Sequence, residues 1–189
     1  MQRVFASSAS WFHLLVPLAL LGVACTPRVS DETLCAVHVE GVRLEPGTDS
    51  PVLYLVEDGA GGRELRIWIG EFEAQSIAQA LGREPIIRPN SHDLLKNLLG
   101  RLGGRVRRAL VTELHEGTFY AVIEVEAHGL SLAIDARPSD AIAVALRTGA
   151  PVLVSESLLV RSLEIPDDEG ALEIDLRERA RETRELPSL

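Results

Sequence analysis

The sequence is poor in aromatic residues and in cysteine: its 189 residues include four Phe, two Trp, two Tyr and two Cys. Two cysteines cannot hold together a fold that depends on several disulfides, so a disulfide-stapled miniprotein is excluded. Because aromatic side chains are few, the hydrophobic core must consist mainly of Leu, Val, Ile and Ala. With 46% hydrophobic and 25% charged residues, the composition is typical of a folded protein, and the length fits one domain with appendages.

An excess of basic charge is also missing. Nineteen Lys and Arg residues stand against 28 Asp and Glu, which gives a net charge of -9. This sign excludes a protein that holds nucleic acid mainly through its overall field, so any nucleic-acid chemistry requires a local site or a metal. The sequence also has no Gly-x-Ser-x-Gly motif and no zinc-type cysteine pair. Serine hydrolases built on that motif and structural zinc modules are therefore not supported.

The longest apolar run near the start is too short to cross a membrane comfortably. It covers residues 11–24, is interrupted only by His13 and follows Arg3, whereas a membrane-spanning helix needs about 20 apolar residues. A positive start, an apolar middle and small residues at the end predict a signal peptide over 1–24 and an exported protein of the bacterial cell envelope or periplasm.

Cys25 follows this segment directly and resembles the acylated cysteine of a bacterial lipobox, although Gly22 stands where Leu is usual. We therefore predict lipidation of Cys25, a membrane anchor through that lipid, and a tether over 25–35. Ordinary cleaved secretion is the alternative, and it would allow a Cys25–Cys35 disulfide. An uncleaved anchor or a misread start is a further alternative.

Periodicity predicts one domain over 36–163, with alternating strands, amphipathic helices and hairpin turns. A meander of three hairpin-linked strands is expected over 105–135. The segment 164–189 contains nine acidic residues and four arginines, and it is predicted to be a peripheral tail. The predicted strands are 36–44, 51–56, 64–69, 105–114, 118–127, 130–135 and 152–154, and the predicted helices are 71–81, 92–102 and 138–148.

Two predicted helix starts carry the residues that could perform chemistry, because an exposed helix N-terminus favours an anion. Asp93, Asp135 and Asp140 could hold a hard divalent metal such as Mg or Mn through oxygen. His92 could move a proton or complete the metal shell, and Arg137 could clamp a phosphodiester. Together these groups would suit metal-assisted phosphodiester hydrolysis.

Each of these residues also has a structural interpretation. Asp93 and Asp140 could simply satisfy helix N-termini, and Asp135 could form an ion pair with Arg137. Trp68 is expected in the core or an interface rather than as a base-stacking platform. The basic cluster is expected on a solvated face, with a phosphate-tracking patch as the alternative; it consists of Arg101, Arg105, Arg107 and Arg108.

Taken in order, several motifs resemble the bifunctional nuclease family, a small DNase/RNase domain. The resemblance extends from about Cys35 to Val160. The motifs are Trp68-Ile69-Gly70 with Glu73-Ala74, Arg88-Pro89-Asn90-Ser91-His92-Asp93-Leu94, Gly117-Thr118-Phe119-Tyr120-Ala121, and Asp135-Ala136-Arg137-Pro138-Ser139-Asp140-Ala141-Ile142-Ala143.

This resemblance implies an α+β domain with a mixed, largely antiparallel sheet, a homo-oligomer, and nuclease activity on DNA and RNA. His92, Asp93, Asp135, Arg137 and Asp140 match its motif positions and are the predicted catalytic residues. Members of the family are commonly intracellular, whereas this chain carries an export signal, so its nucleic-acid substrate would be environmental. A non-catalytic oligomeric binding module that keeps the family fold is the alternative, and the acidic surface favours it.

Overall fold

The computed structural model of the chain describes residues 33–59 and 61–161. The predicted signal peptide, the lipidation site Cys25 and the acidic tail lie outside the described residues. The strands are β1 (Leu34–Leu44), β2 (Pro51–Glu57), β3 (Arg63–Trp68), β4 (Gly104–His115), β5 (Thr118–Ala127), β6 (Leu130–Ala136), β7 (Val152–Ser155) and β8 (Val160–Arg161). The helices are α1 (Glu71–Ala80), α2 (Ser91–Arg101) and α3 (Pro138–Thr148), with a 3₁₀ turn at Glu156–Leu158.

The described strands form one sheet in the order β6-β5-β4-β7-β1-β2-β3-β8. Every pairing is antiparallel except that of β4 with β7. The predicted α+β fold with a mixed, largely antiparallel sheet is therefore confirmed. The short β8 and the 3₁₀ turn had no counterpart in the sequence prediction.

Two tight turns set the register of the β4-β5-β6 meander. Glu116 and Gly117 connect β4 to β5, and His128 and Gly129 connect β5 to β6, all with positive φ. A two-residue hairpin loop with two positive φ angles matches the right-handed twist of the strands. The predicted meander is therefore confirmed.

The core lies between one face of the sheet and helices α1 and α3. It is aliphatic, as the composition predicts, with Leu53, Leu55 and Ile77 fully buried. Helix α3 buries three alanines, Ala141, Ala143 and Ala145, whose small side chains allow the helix to approach the sheet closely. Pro138 begins this helix and Gly149, in the left-handed conformation, ends it, as predicted.

Helix α2 differs from the other two helices because it contains no buried residue. Of its predicted leucine face, only Leu99 packs against the core. Trp68, predicted in the core or an interface, is 56% exposed and therefore does not lie in the core; its place in an interface stays a prediction. Among the described helices, none is long and apolar enough to cross a membrane.

Candidate active site

A pocket of about 410 Å³ opens where the starts of α2 and α3 meet α1. The side chains that line it come from all three helices and from the connector before α2. Residues far apart in sequence therefore share one cavity. The lining residues are Phe72, Glu73, Gln75, Ser76, Gln79, Arg88, Asn90, Ser91, His92, Arg137 and Asp140.

His92 of α2 lines this pocket and contacts one residue of each of the other two helices. Its Nδ1 lies 2.8 Å from Oγ of Ser76 on α1, and its Nε2 lies 3.1 Å from Oδ1 of Asp140 on α3. The His92 side chain is 14% exposed, and Ser76 is 4% exposed. Nδ1 therefore faces a buried hydroxyl, and Nε2 is the ring nitrogen that faces the pocket carboxylate.

The hydrogen-bond network around His92 is consistent with a proton on Nε2. Asp140 is ionised near neutral pH: although partial burial raises its pKa, hydrogen bonds from Arg137 and His92 outweigh this effect and lower the pKa below its ordinary value. An ionised carboxylate can only accept, so Nε2 donates to it. Ser76 Oγ accepts a hydrogen bond of 2.9 Å from the Asn90 amide and has its own proton for Nδ1.

Arg137 forms the outer edge of the pocket. Its Nε and Nη2 donate to the Asp140 carboxylate at 2.7 and 3.1 Å, and Nη2 also pairs with Glu73 at 2.8 Å. The hydrogen bonds to Asp140, together with the nearby charges, raise the pKa of Arg137 above its ordinary value. Its side chain is 66% exposed. These contacts leave Nη1 unoccupied within the described chain, where it can meet an anion.

Asp93 does not line the pocket. It closes a capping box at the start of α2, where its Oδ2 accepts from the Asn90 backbone at 2.9 Å and the Asn90 side chain accepts from the His92 and Asp93 backbones. Its Oδ1 accepts from Arg147 Nε at 2.8 Å, and the Arg147 side chain is only 4% exposed. The structural interpretation of Asp93 therefore fits its contacts.

Asp135 lies on the other face of the sheet. It pairs with Val122 on β5, while its neighbour Ile134 pairs with the core residue Ile123. Because side chains alternate along a strand, Asp135 points away from the helices. It lines neither this pocket nor the smaller one next to Trp68, and the structure does not bring it together with His92.

The three carboxylates predicted as metal ligands consequently do not fit a shared metal. Asp93 is held by Arg147, Asp140 by Arg137 and His92, and Asp135 lies on the opposite face. Within residues 33–59 and 61–161, no group of three His, Cys, Asp or Glu side chains could hold a metal ion. We therefore derive no chemical step through a metal at this site.

Sequence reasoning missed three residues that support the site. Glu73 and Ser76 are three positions apart on α1, so they lie on the same side of the helix. Two polar residues at this spacing could have indicated a polar face of α1 that contributes to the site. Arg147 is the basic residue in the last turn of the Ala-rich α3. A charge on a buried helix requires a partner, which gives a signal for Arg147 but does not identify Asp93.

Three of the four arginines of the basic cluster form ion pairs with glutamates of β5. Arg105 and Arg107 pair with Glu126, and Arg108 pairs with Glu124, all on β5. Arginines that face glutamates across a strand pair do not form a continuous track for phosphates. The arrangement agrees with the predicted solvated face.

Comparison with known proteins identifies the family to which this chain is similar. A family model described as the bifunctional nuclease domain matches residues 53–165, a range that includes every residue lining the pocket. An uncharacterized protein of Mycobacterium tuberculosis is 42% identical over 134 residues, which are 70% of this chain and 79% of that protein. Bifunctional nuclease 1 of Arabidopsis thaliana is 28% identical over 122 residues, which are 63% of this chain and 38% of that protein. Bifunctional nuclease 2 of Oryza sativa subsp. japonica is 27% identical over 133 residues, which are 66% of this chain and 41% of that protein.

Proposed function

Because the chain belongs to the bifunctional nuclease domain family, we propose that it is a nuclease that cleaves phosphodiester bonds of DNA or RNA in the pocket around His92 and Arg137. The observation that carries the proposal is the 3.1 Å contact between His92 and Asp140, which unites two helix starts 48 residues apart. A titratable ring, a guanidinium and a cavity in one place are the parts that phosphodiester cleavage requires.

The phosphate contacts are assigned to two arginines. Arg137 offers Nη1 at the pocket edge, and Arg88 lines the same cavity with an exposed side chain and no ion-pair partner in the described part of the chain. Phe72, also exposed, lines the pocket beside them and gives a base a ring to stack on. A phosphate between two guanidinium groups, with a base on the phenyl ring, is a nucleic-acid binding mode that does not need a basic surface.

His92 is assigned the proton transfer. Its Nε2 faces the pocket and lies 3.1 Å from the Asp140 carboxylate, which orients the ring. In the proposed hydrolysis a water molecule attacks phosphorus while the P–O bond to the leaving oxygen breaks. The Nε2 proton of His92 passes to the leaving oxygen, the proton released by the attacking water restores the ring, and Arg137 balances the charge that develops on the phosphate. Ser76 is a positioning residue, since it fixes the ring through Nδ1 without reaching the substrate.

One observation favours the non-catalytic binding module instead. Arg137 is already bound by both Asp140 and Glu73, as it would be in a purely structural clamp between α1 and α3. In that alternative the pocket binds an anion without cleaving it. The two functions differ in one measurable property, the turnover of a phosphodiester.

The test uses the full chain and labelled single-stranded and duplex DNA and RNA, with Mg, with Mn and with EDTA. His92→Gln is compared with His38→Gln, because His38 is also paired with an aspartate, Asp58, at 2.8 Å but lies on an exposed part of β1. We expect His92→Gln to lose about 100-fold or more in cleavage rate and His38→Gln to keep the wild-type rate. Binding without cleavage by the folded wild-type protein in every buffer would instead establish the binding module.

The EDTA arm tests the predicted metal separately. Cleavage that survives EDTA agrees with chemistry carried by His92 and Arg137 alone. Cleavage that requires Mg or Mn would place the metal ligands in a set other than Asp93, Asp135 and Asp140, because these three carboxylates are not brought together.

A further inference from the structure

A second, smaller pocket shares Arg137 with the pocket around His92. Its volume is about 270 Å³. Its walls come from the end of β3, the hairpin between β4 and β5, and the start of α3. We call it the Trp68 pocket. Because one arginine side chain lines both cavities, a ligand held by Arg137 in one of them can extend into the other.

The charge of the Trp68 pocket is positive, although the chain as a whole carries a net charge of -9. Among the described residues that line it, Arg137 is the one with a charge, and the others are apolar residues, glycines, Thr118 and Ser139. Contacts with Asp140 and Glu73 leave Nη1 of Arg137 unoccupied within the described chain. A cavity lined by one cation and by no carboxylate favours a ligand with a negative charge.

Aromatic side chains are concentrated at these two pockets. Of the five aromatic residues in the described part of the chain, Trp68 and Phe119 line the Trp68 pocket and Phe72 lines the pocket around His92. Trp68 is 56% exposed, whereas tryptophan is usually well buried. Its Nε1 donates to Glu45 at 3.1 Å, so the indole ring is both exposed and held in place. Such a ring suits stacking on a flat ligand.

Ser139 gives the Trp68 pocket a hydrogen-bonding group without a partner. The residue is only 6% exposed, and its hydroxyl has no hydrogen-bond partner within the described chain. Every fully buried side-chain nitrogen or oxygen of the described residues has such a partner, so this hydroxyl is not fully buried, and the pocket that it lines is where it meets solvent. A largely buried polar group of this kind gains a hydrogen bond when a ligand fills the pocket.

We propose that the Trp68 pocket is a second nucleotide subsite, in which the base next to the bound phosphate stacks on Trp68. This inference rests on the proposed function, because the phosphate is the one assigned there to Arg137. A phosphodiester joins two nucleosides, and each of the two pockets that share Arg137 has an exposed ring, Phe72 or Trp68. A base that stacks on a protein ring has left its own stack. The ligand is therefore a single strand of at least two nucleotides.

The test measures the binding of labelled single strands to the full chain by fluorescence anisotropy. All proteins carry His92→Gln, so that the strand is not cleaved during the measurement. Two ligands are compared, a short oligonucleotide and a strand of the same length that has the sugars and phosphates but no bases. The variants are Trp68→Leu, which removes the ring, and Trp68→Phe, which keeps one. The control is Tyr120→Leu, which removes a 41% exposed aromatic ring that lines neither pocket.

We expect Trp68→Leu to raise the dissociation constant of the oligonucleotide about tenfold, Trp68→Phe to recover most of that loss, and Tyr120→Leu to have no effect. The strand without bases should bind all of these proteins alike, because it contacts the arginines and not the ring. Circular dichroism checks that each variant is folded. A folded Trp68→Leu protein that binds the oligonucleotide as tightly as its parent, or that loses affinity equally for both strands, would overturn the subsite.

The outcomes also separate this subsite from the proposed activity. Binding that depends on Trp68 and on the bases, without cleavage by the wild-type protein, would support the subsite and contradict the nuclease. Cleavage that depends on His92, together with binding that does not depend on Trp68, would support the nuclease and overturn the subsite. Failure of the folded protein to bind either strand would contradict both.

Discussion

Asp93 and Asp140 are of the same residue type and occupy corresponding places at two helix starts, yet their partners give them different roles. Asp140 lines the pocket and holds His92 and Arg137. Asp93 is turned inward to Arg147, 54 residues later in the chain. The sequence predicts the helix starts from local patterns, but it cannot predict which aspartate meets a buried arginine, because that contact is tertiary.

The pairing of Asp93 with Arg147 predicts a stability that depends on pH. Burial raises the pKa of Asp93, but hydrogen bonds from Asn90 and Arg147 outweigh it and lower the pKa below the ordinary value of 3.8. A carboxylate with a depressed pKa stabilises the folded protein above its unfolded-state pKa and loses that contribution as the pH falls. Asp93→Asn should therefore cost about 1–3 kcal/mol at pH 7.

The measurement is urea unfolding of the wild type and Asp93→Asn at several pH values between 7 and 3. The difference in free energy of unfolding should be constant above about pH 5 and shrink below about pH 4. Asp58→Asn, which removes the exposed partner of His38, serves as control and should have little effect at neutral pH. A difference that does not change with pH would show that the charge of Asp93 is not what stabilises the fold.

At the scale of elements, local patterns predicted the turns and helices, and tertiary packing decided what the patterns could not. The hairpin at Glu116-Gly117 and the limits of α3 depend on backbone preferences that a short sequence carries. The leucine stripe of α2 predicted an apolar helix face, but periodicity does not specify what covers that face. Asp135 was grouped with the site because of its position just before α3, whereas the alternation along β6 turns it to the other side.

The start of α2 positions the site, so its cap should affect stability and activity together. Asn90 accepts from the backbones of His92 and Asp93, and its amide donates to Ser76. Asn90→Ala should cost about 1 kcal/mol of stability and lower the cleavage rate about tenfold or more, because His92 loses its fixed orientation.

Gly149→Ala is the matched control for the cap of α2. Gly149 ends α3 with φ of 68°, a conformation that costs an alanine about 1 kcal/mol, and it lies at the end of α3 remote from Asp140. Thermal unfolding should show similar losses for both variants, and the cleavage assay should show a loss for Asn90→Ala alone. Equal cleavage rates would mean that the cap does not position His92.

The whole molecule is acidic, and its proposed substrate, a nucleic acid, is also negatively charged. The two are compatible only if a few basic side chains at one site make the phosphate contacts. The chain carries nine more acidic than basic residues, and the basic cluster on β4 is paired with glutamates. Two arginines, Arg88 and Arg137, remain to contact phosphates at the pocket. The composition predicts that a local site is necessary, and we propose that this site lies where the three helices converge.

Local binding predicts a weak dependence on salt. Each neutralised phosphate of a single strand contributes about -0.7 to the slope of log K against log[salt], so two contacts should give a slope near -1.4. The affinity of His92→Gln for a labelled single strand, measured by fluorescence anisotropy, would give this slope. Arg88→Gln in the same background should reduce it by about 0.7. A slope steeper than about -4 would require a basic track that the described surface does not show.

If the pocket formed by α1, α2 and α3 is the nuclease active site, Asp140→Asn must lose cleavage activity and Asp135→Asn must keep it. The two aspartates are five residues apart in the same family motif, but only Asp140 lines the pocket. The measurement is the initial rate of cleavage of labelled single-stranded DNA and RNA, with both variants shown by circular dichroism to be folded. We predict a loss of about 100-fold or more for Asp140→Asn and the wild-type rate for Asp135→Asn. Cleavage at the wild-type rate by Asp140→Asn, or an equal loss in Asp135→Asn, would show that this pocket is not the active site.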